Sequence, residues 1–290
     1  MMQIVLSVVA LMMATDMFAQ PTVGRELNYG RSELGRALAP RVAVDLLGAW
    51  QTRKVPRAKK PAADEPAWTP VRAPHGYDLS KCWSDVCQYR RSIELPARAG
   101  RRVDLRIGAF RSELEIIVNG HVVATNFYPI PTSYDVTDLV HDGANDVQLN
   151  CRINQDPARR GVFPGLPVWS VWTEFGLHAP VWLEYHDAVA VSDVTVVTKV
   201  TPAKVFTARV EVTNATDAVR TVAVAGRVRG AKDAVAGLAF DEKAVRVPAH
   251  GTAVVAFDAP WPAAKLWTPD APNLSYFDVE LREEGKPRDG

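Results

Sequence analysis

Short runs of alternating apolar and polar residues, each closed by Gly, Pro, Asn or Asp, recur along this chain from Val103 to Leu281, and no long amphipathic helical period interrupts them. A period of two puts successive side chains on opposite faces of a strand, so each run buries one face and offers the other to water. Val103-Asp104-Leu105-Arg106-Ile107 alternates strictly, and Val147, Leu149, Cys151 and Ile153 share a face in the run that starts at Asp146. Leu114–Val118 leads into Asn119-Gly120 and then into His121–Ala124. Both turn residues accept the positive φ of a type I′ turn, so the segment predicts a tight hairpin. Val181–Tyr185 reads as the strand that ends this block.

A second set of strand-like runs covers Val194–Val200, Val205–Val212, Val219–Val228, Val245–Val247 and Thr252–Phe257. It closes on Leu266-Trp267-Thr268-Pro269-Asp270-Ala271-Pro272-Asn273-Leu274. Pro269 and Pro272 fix φ and push the residues before them away from helix, so this segment predicts a rigid extended approach to a last strand. In that strand, Tyr276 or Phe277, then Val279 and Leu281, come close to alternation. Only one helical turn is expected, over Val136–Val140, with Asp135 as its N-cap. Two β-sandwiches in tandem follow, at the spacing of short strands and turns that such domains show. Their expected bounds are 42–186 and 187–284, with 285–290 beginning a linker.

A length of 290 residues suits about two domains, and 47% hydrophobic residues can fill their cores. Lys and Arg number 34 against 33 Asp and Glu, a net charge of +1. That balance supplies no field of the kind that holds nucleic acid or an anionic membrane. The basic run Arg53–Lys60 lacks interleaved aromatic residues and reads as a solvated loop. Met1–Ala14 is apolar for a length that suits a signal-peptide core and falls short of a membrane span. Residues 1–19 are therefore expected to be a signal peptide, 20–41 a spacer, and the mature protein exported to the periplasm or beyond, with no membrane association after cleavage. Cys82 and Cys87 are spaced for a small loop disulfide in that oxidising compartment, and Cys151 reads as a core thiol. The six His are scattered and no second Cys pair stands at ligand spacing, so no metal and no cofactor are expected.

The order of several fragments resembles the N-terminal portion of glycoside hydrolase family 2, the group of β-galactosidases, β-glucuronidases and β-mannosidases. Leu47-Gly48-Ala49-Trp50, Ala73-Pro74-His75, Tyr89-Arg90-Arg91 and Arg106-Ile107-Gly108-Ala109 come first. Val118-Asn119-Gly120, Tyr134-Asp135-Val136-Thr137, Gly143–Val147, Phe175–Leu183 and the Leu266–Leu274 segment follow in the family's order. The resemblance implies an all-β chain, a jelly-roll (galactose-binding-like) sandwich followed by an immunoglobulin-like sandwich, with a catalytic TIM barrel coming third in the family. Two departures bear on ligand recognition. Ala179 stands where the family carries an Arg, and Val171-Trp172 where many β-galactosidases carry Asp before Trp.

Retaining glycoside hydrolysis needs two carboxyl groups about 5 Å apart. In the family these are barrel Glu residues, and the acid/base follows an Asn. No Asn-Glu dipeptide and no alternation of strands with long helices occurs here. The barrel is expected to be absent from this chain, and no catalytic residue is assigned. Glu113 and Glu115 share a strand face, which reads as a solvated face opposite Leu114 and Ile116. The long irregular segment from Gln155 to Trp172 has the strongest claim to a sugar. Its Phe163, Trp169 and Trp172 offer rings to C–H faces, while Asp156 and Arg159 offer hydrogen bonds to hydroxyls. The competing role for those rings is packing beneath the loop or against a barrel. Tyr128 and His75 are lesser carbohydrate candidates. The expected function is thus a non-catalytic N-terminal part of an exported family-2-like glycosidase, with a β-glycoside ligand and a barrel as partners. The alternative is a stand-alone carbohydrate-binding or adhesion module. Asn214-Ala215-Thr216 and Asn273-Leu274-Ser275 are glycosylation sequons with turn or strand-entry roles as the alternative.

Overall fold

The computed structural model describes residues 41–290 apart from 47, 57–65, 74, 79–84, 112, 127–130, 153–173, 178 and 231–235. Every regular element among them is a strand, and the chain divides into two compact units, a first built on 43–99 and 103–184 and a second built on 185–290. The expected signal segment, 1–19, and all of the expected spacer, 20–41, except Arg41 lie outside the described residues.

The first unit contains β1 (Val42–Asp45), β2 (Gly48–Pro56), β3 (Thr69–Ala73), β4 (His75–Asp78), β5 (Asp85–Leu95), β6 (Arg102–Ile107) and β7 (Phe110–Arg111). It continues with β8 (Glu113–Val118), β9 (His121–Asn126), β10 (Thr132–Asp135), β11 (Gly143–Arg152), β12 (Glu174–Leu177) and β13 (Val181–His186). A six-stranded sheet has the order β3-β2-β5-β11-β8-β9, and a four-stranded sheet the order β1-β13-β6-β10. A small third sheet, β4-β12-β7, accompanies them. The alternation read from the sequence is the alternation of burial: Val103, Leu105 and Ile107 are fully buried on β6, as are Leu114, Ile116 and Val118 on β8. Burying each large apolar side chain contributes roughly 1.5–3 kcal/mol, so one register is strongly preferred over its one-residue slip. Trp50 sits in this core and donates its indole N–H to the Leu46 carbonyl at 2.8 Å, so its one polar atom is satisfied.

The β8–β9 hairpin turns on Asn119 and Gly120, whose φ angles are 49° and 81°. Asn119 then ties the turn to β11. Its amide N–H donates to the Asp146 carbonyl, its side-chain oxygen accepts from the Asp146 N–H, and its side-chain N–H₂ donates to Leu139 and Asn145. Asp135 caps the single turn over 136–140 by accepting from the Thr137 N–H at 3.0 Å, and Val140 N–H closes on the Val136 carbonyl. Glu113 departs from the expected solvated face. It is buried and paired with Arg152, because β8 and β11 place the two side chains directly opposite each other. Arg53–Pro56, expected in a loop, is the end of β2, paired with β5.

The second unit holds β14 (Val189–Lys199), β15 (Val205–Asn214), β16 (Arg220–Gly230), β17 (Ala236–Val247), β18 (Gly251–Pro260), β19 (Ser275–Glu283) and β20 (Lys286–Asp289). Its two sheets are β14-β15-β18 and β17-β16-β19-β20. Phe206, Phe240, Phe257 and Phe277 interlock between them at centroid distances of 5.1–6.2 Å. The sequence left open which of Tyr276 and Phe277 turns inward; Phe277 packs on the core. Residues 285–290, read as the start of a linker, form a hairpin strand instead. Asp289 is wholly buried, accepts from the Val191 N–H at 2.7 Å and pairs with Arg41 at 2.5 Å.

Candidate functional site

Of the residues singled out for a sugar, Tyr128, Asp156, Arg159, Phe163, Trp169 and Trp172 lie outside the described residues, as does Cys82. His75 is described, on β4. Its Nδ1 lies 3.1 Å from the Tyr89 hydroxyl, which also stands 3.2 Å from the His75 carbonyl oxygen. Burial pushes the His75 pKa down, so the imidazole is held neutral, and Tyr89 is fully buried. Gly176 of β12 completes the contact. A Cβ there would fall 2.6 Å from both the His75 carbonyl oxygen and the Tyr89 hydroxyl, and its φ is +139°. These three residues fasten the small sheet onto β5.

Cys87 is buried on β5 and lies directly opposite Cys151 of β11. Burial pushes the Cys151 thiol well above its ordinary range, which makes it an inert core group. Among the described residues no cluster of three or more His, Cys, Asp or Glu could hold a metal ion.

The face of the six-stranded sheet opposite Trp50 and Tyr89, on which Asn150 is buried, carries an arrangement that sequence reading did not single out. On β2 and β5, Arg53 Nε donates to Gln88 Oε1 at 2.7 Å and Arg90 Nε donates to Gln51 Oε1 at 2.8 Å. The two guanidinium carbons lie 4.4 and 4.1 Å from the ring centroid of Trp68, just before β3. Toward β11 and β8 the row continues: Gln148 donates to Asn150 Oδ1 at 2.9 Å, and Asn150 donates to Glu115 Oε2 at 2.7 Å. The register makes this one surface, since Arg53 faces Gln88, Gln88 faces Asn150 and Asn150 faces Glu115 across successive strands. Fixed donors and acceptors beside an indole are the chemistry of polyhydroxylated ligands, which offer hydroxyls on their edges and C–H groups on their faces. The signal was present as polar residues at every second position of each strand. It became readable only with the register, which sets β2, β5, β11 and β8 side by side although they are far apart in sequence.

The comparisons with known proteins come from structure alone. No family model matches the chain and no curated protein matches it. Among solved structures, it is similar to a putative β-galactosidase from Bacteroides fragilis, with a TM-score of 0.73 and 18% identity over 86% of this chain and 40% of that one. A β-glucuronidase from Bacteroides uniformis matches with a TM-score of 0.68 and 19% identity, over 84% of this chain and 30% of that one. A β-D-mannosidase from Dictyoglomus thermophilum matches at 0.61 and 15%, over 85% and 35%. The two sandwiches have the fold of part of these proteins, and the chain spans less than half the length of each.

Proposed function

We propose that this chain is the N-terminal, non-catalytic part of an exported family-2-like glycoside hydrolase, contributing carbohydrate contact and support for a catalytic barrel. The observation that carries the reading is the fit of 84–86% of the chain to solved glycosidases, of which it spans only 30–40%. The sequence agrees with it: no Asn-Glu dipeptide is present, and the fragments quoted from Leu47 to Leu274 keep the family's order. In this reading the first sandwich meets the sugar, the second carries the barrel, and bond cleavage belongs to the barrel's carboxyl pair.

A second reading, an independent carbohydrate-binding module, draws on the Trp68 face, which offers an aromatic ring and hydrogen-bonding groups without needing a barrel. The two are tested together. The purified chain is assayed for release of aryl groups from aryl β-glycosides and titrated calorimetrically with β-linked oligosaccharides. Turnover above a mock preparation overturns both. Binding that Trp68→Ala weakens tenfold or more favours the independent module, and absence of both binding and turnover favours the barrel-dependent part.

A further inference from the structure

Strand β14 is the open edge of the second unit. Its only sheet neighbour among the described residues is β15. The opposite edge of the same sheet, β18, lies beside β17 of the facing sheet. At the start of β14 the outer edge is occupied, because the Val191 N–H donates to Asp289 and the Val191 carbonyl accepts from Arg41. From Asp193 to Lys199 the strand makes no sheet pairing on that edge among the described residues, and both of its faces are exposed: Val194 is 38%, Val196 44% and Val197 50% accessible. Val194 and Val196 stand opposite Val210 and Ala208 of β15, which are fully buried, so the apolar layer of the sandwich runs out at β14 uncovered. An apolar edge strand with unpaired backbone groups is a template for another strand.

We propose that β14 pairs with β14 of a second copy of this chain, antiparallel, about a two-fold axis through Val196. The strand's own sequence selects this partner. In a two-fold pair of strands within one continuous sheet, opposed residues point to the same face, so they differ by an even number of positions. Of the registers this leaves, centring on Val196 sets Asp193 opposite Lys199 twice, Thr195 opposite Val197 twice, Val194 opposite Thr198 twice, and Val196 opposite itself. Centring on Val194 or Thr195 leaves Lys199 facing an uncharged residue, and centring on Val197 does the same to Lys199 and leaves Asp193 beyond the strand. Asp193 and Lys199 are free to pair across the axis, since among the described residues neither is held in an ion pair, and Asp193 accepts only a hydrogen bond from Thr195. Charges on an exposed edge deter indiscriminate pairing. Here the same two charges admit one register. The product is a continuous six-stranded sheet, β18-β15-β14-β14-β15-β18, in which Val196 of each copy packs beside Val196 of the other and Val194 beside Thr198.

Sedimentation velocity of the 290-residue chain up to about 0.1 mM tests this, since a dimer of even modest affinity is populated there. The expected result is a monomer–dimer equilibrium. Asp193→Lys alone, or Lys199→Asp alone, sets like charges opposite each other twice and weakens dimerisation tenfold or more. The double exchange D193K/K199D restores it to within threefold. Val196→Lys, at an exposed position that leaves the circular dichroism unchanged, abolishes it. A wild-type chain that stays monomeric overturns the proposal, as does a dimer indifferent to Val196→Lys or one that the double exchange fails to restore.

Discussion

His75 and Asn214 show how a polar residue with a functional reading can be consumed by structure. His75 stands on β4 against Tyr89 of β5, with its pKa lowered by burial. The unfolded chain therefore binds the proton more tightly than the folded one. Its contribution to stability is present above the ordinary value of 6.5 and is lost as pH falls below it toward the lowered folded value. Replacing His75 by Gln removes that titration, so the expected outcome is a urea midpoint that falls less steeply on acidification than that of the wild type. An unchanged slope would place the proton elsewhere. Asn214 opens a sequon, yet it is wholly buried. Its N–H₂ donates to Ala218, Val247 and Pro248, and its oxygen accepts from the Thr216 N–H and hydroxyl. Asn214→Ala leaves several of these groups unpaired in the interior and is expected to cost about 2–3 kcal/mol by chemical denaturation. A change below about 0.5 kcal/mol would mean that water replaces the amide.

At the scale of elements, β20 is the part of the second sandwich that sequence reading lost. Lys286–Asp289 is short, charged and interrupted by Pro287, which composition marks as a tail. What makes it a strand is long-range. Asp289 satisfies both the Val191 N–H and Arg41, groups far from it in the chain. Asp289→Ala takes the carboxylate away from Arg41, whose side chain is only 13% accessible, and removes the acceptor of the Val191 N–H, so the expected loss is about 3 kcal/mol or more. Asp289→Asn, which keeps one acceptor for the backbone N–H, is expected to lose less; equal losses would assign the effect to shape alone. The strands that were legible are those with strict alternation, such as β6, and those bounded by a turn that demands particular residues, such as Asn119-Gly120. Others escaped because local signals conflict with pairing. Ala236–Ala244 has no clear period of two, yet its neighbour β16 makes it the first part of β17. Arg53 and Lys54 read as a solvated loop because two adjacent cations suggest solvent, whereas β5 pairs with both. The candidate site was less legible than the fold for the same reason. Gln51, Arg90, Asn150 and Glu115 are unremarkable one at a time and become a surface only through three strand registers.

For the whole molecule, the deciding quantity is a net charge of +1 over 290 residues. A protein that held its ligand through a basic field would lose affinity steeply with salt, through counterion release or screening. The Trp68 face does contain two guanidinium groups, so it could serve either a neutral sugar or a uronate. Its geometry favours the neutral one. Arg53 and Arg90 each spend Nε on a glutamine oxygen and lie close to the indole ring, and the row ends in the carboxylate of Glu115, which would repel an anion. On the reading of an independent carbohydrate-binding module, the expected outcome is that calorimetric affinity for a neutral β-linked oligosaccharide changes less than about twofold between roughly 0.05 and 0.5 M salt. On that reading Trp68→Ala weakens the binding tenfold or more, the result expected if stacking and not charge were to hold a sugar. If affinity falls tenfold or more over the same salt range, and an acidic sugar binds better than its neutral counterpart, the guanidinium groups are the recognition element, and the ligand class shifts from neutral glycosides to uronides.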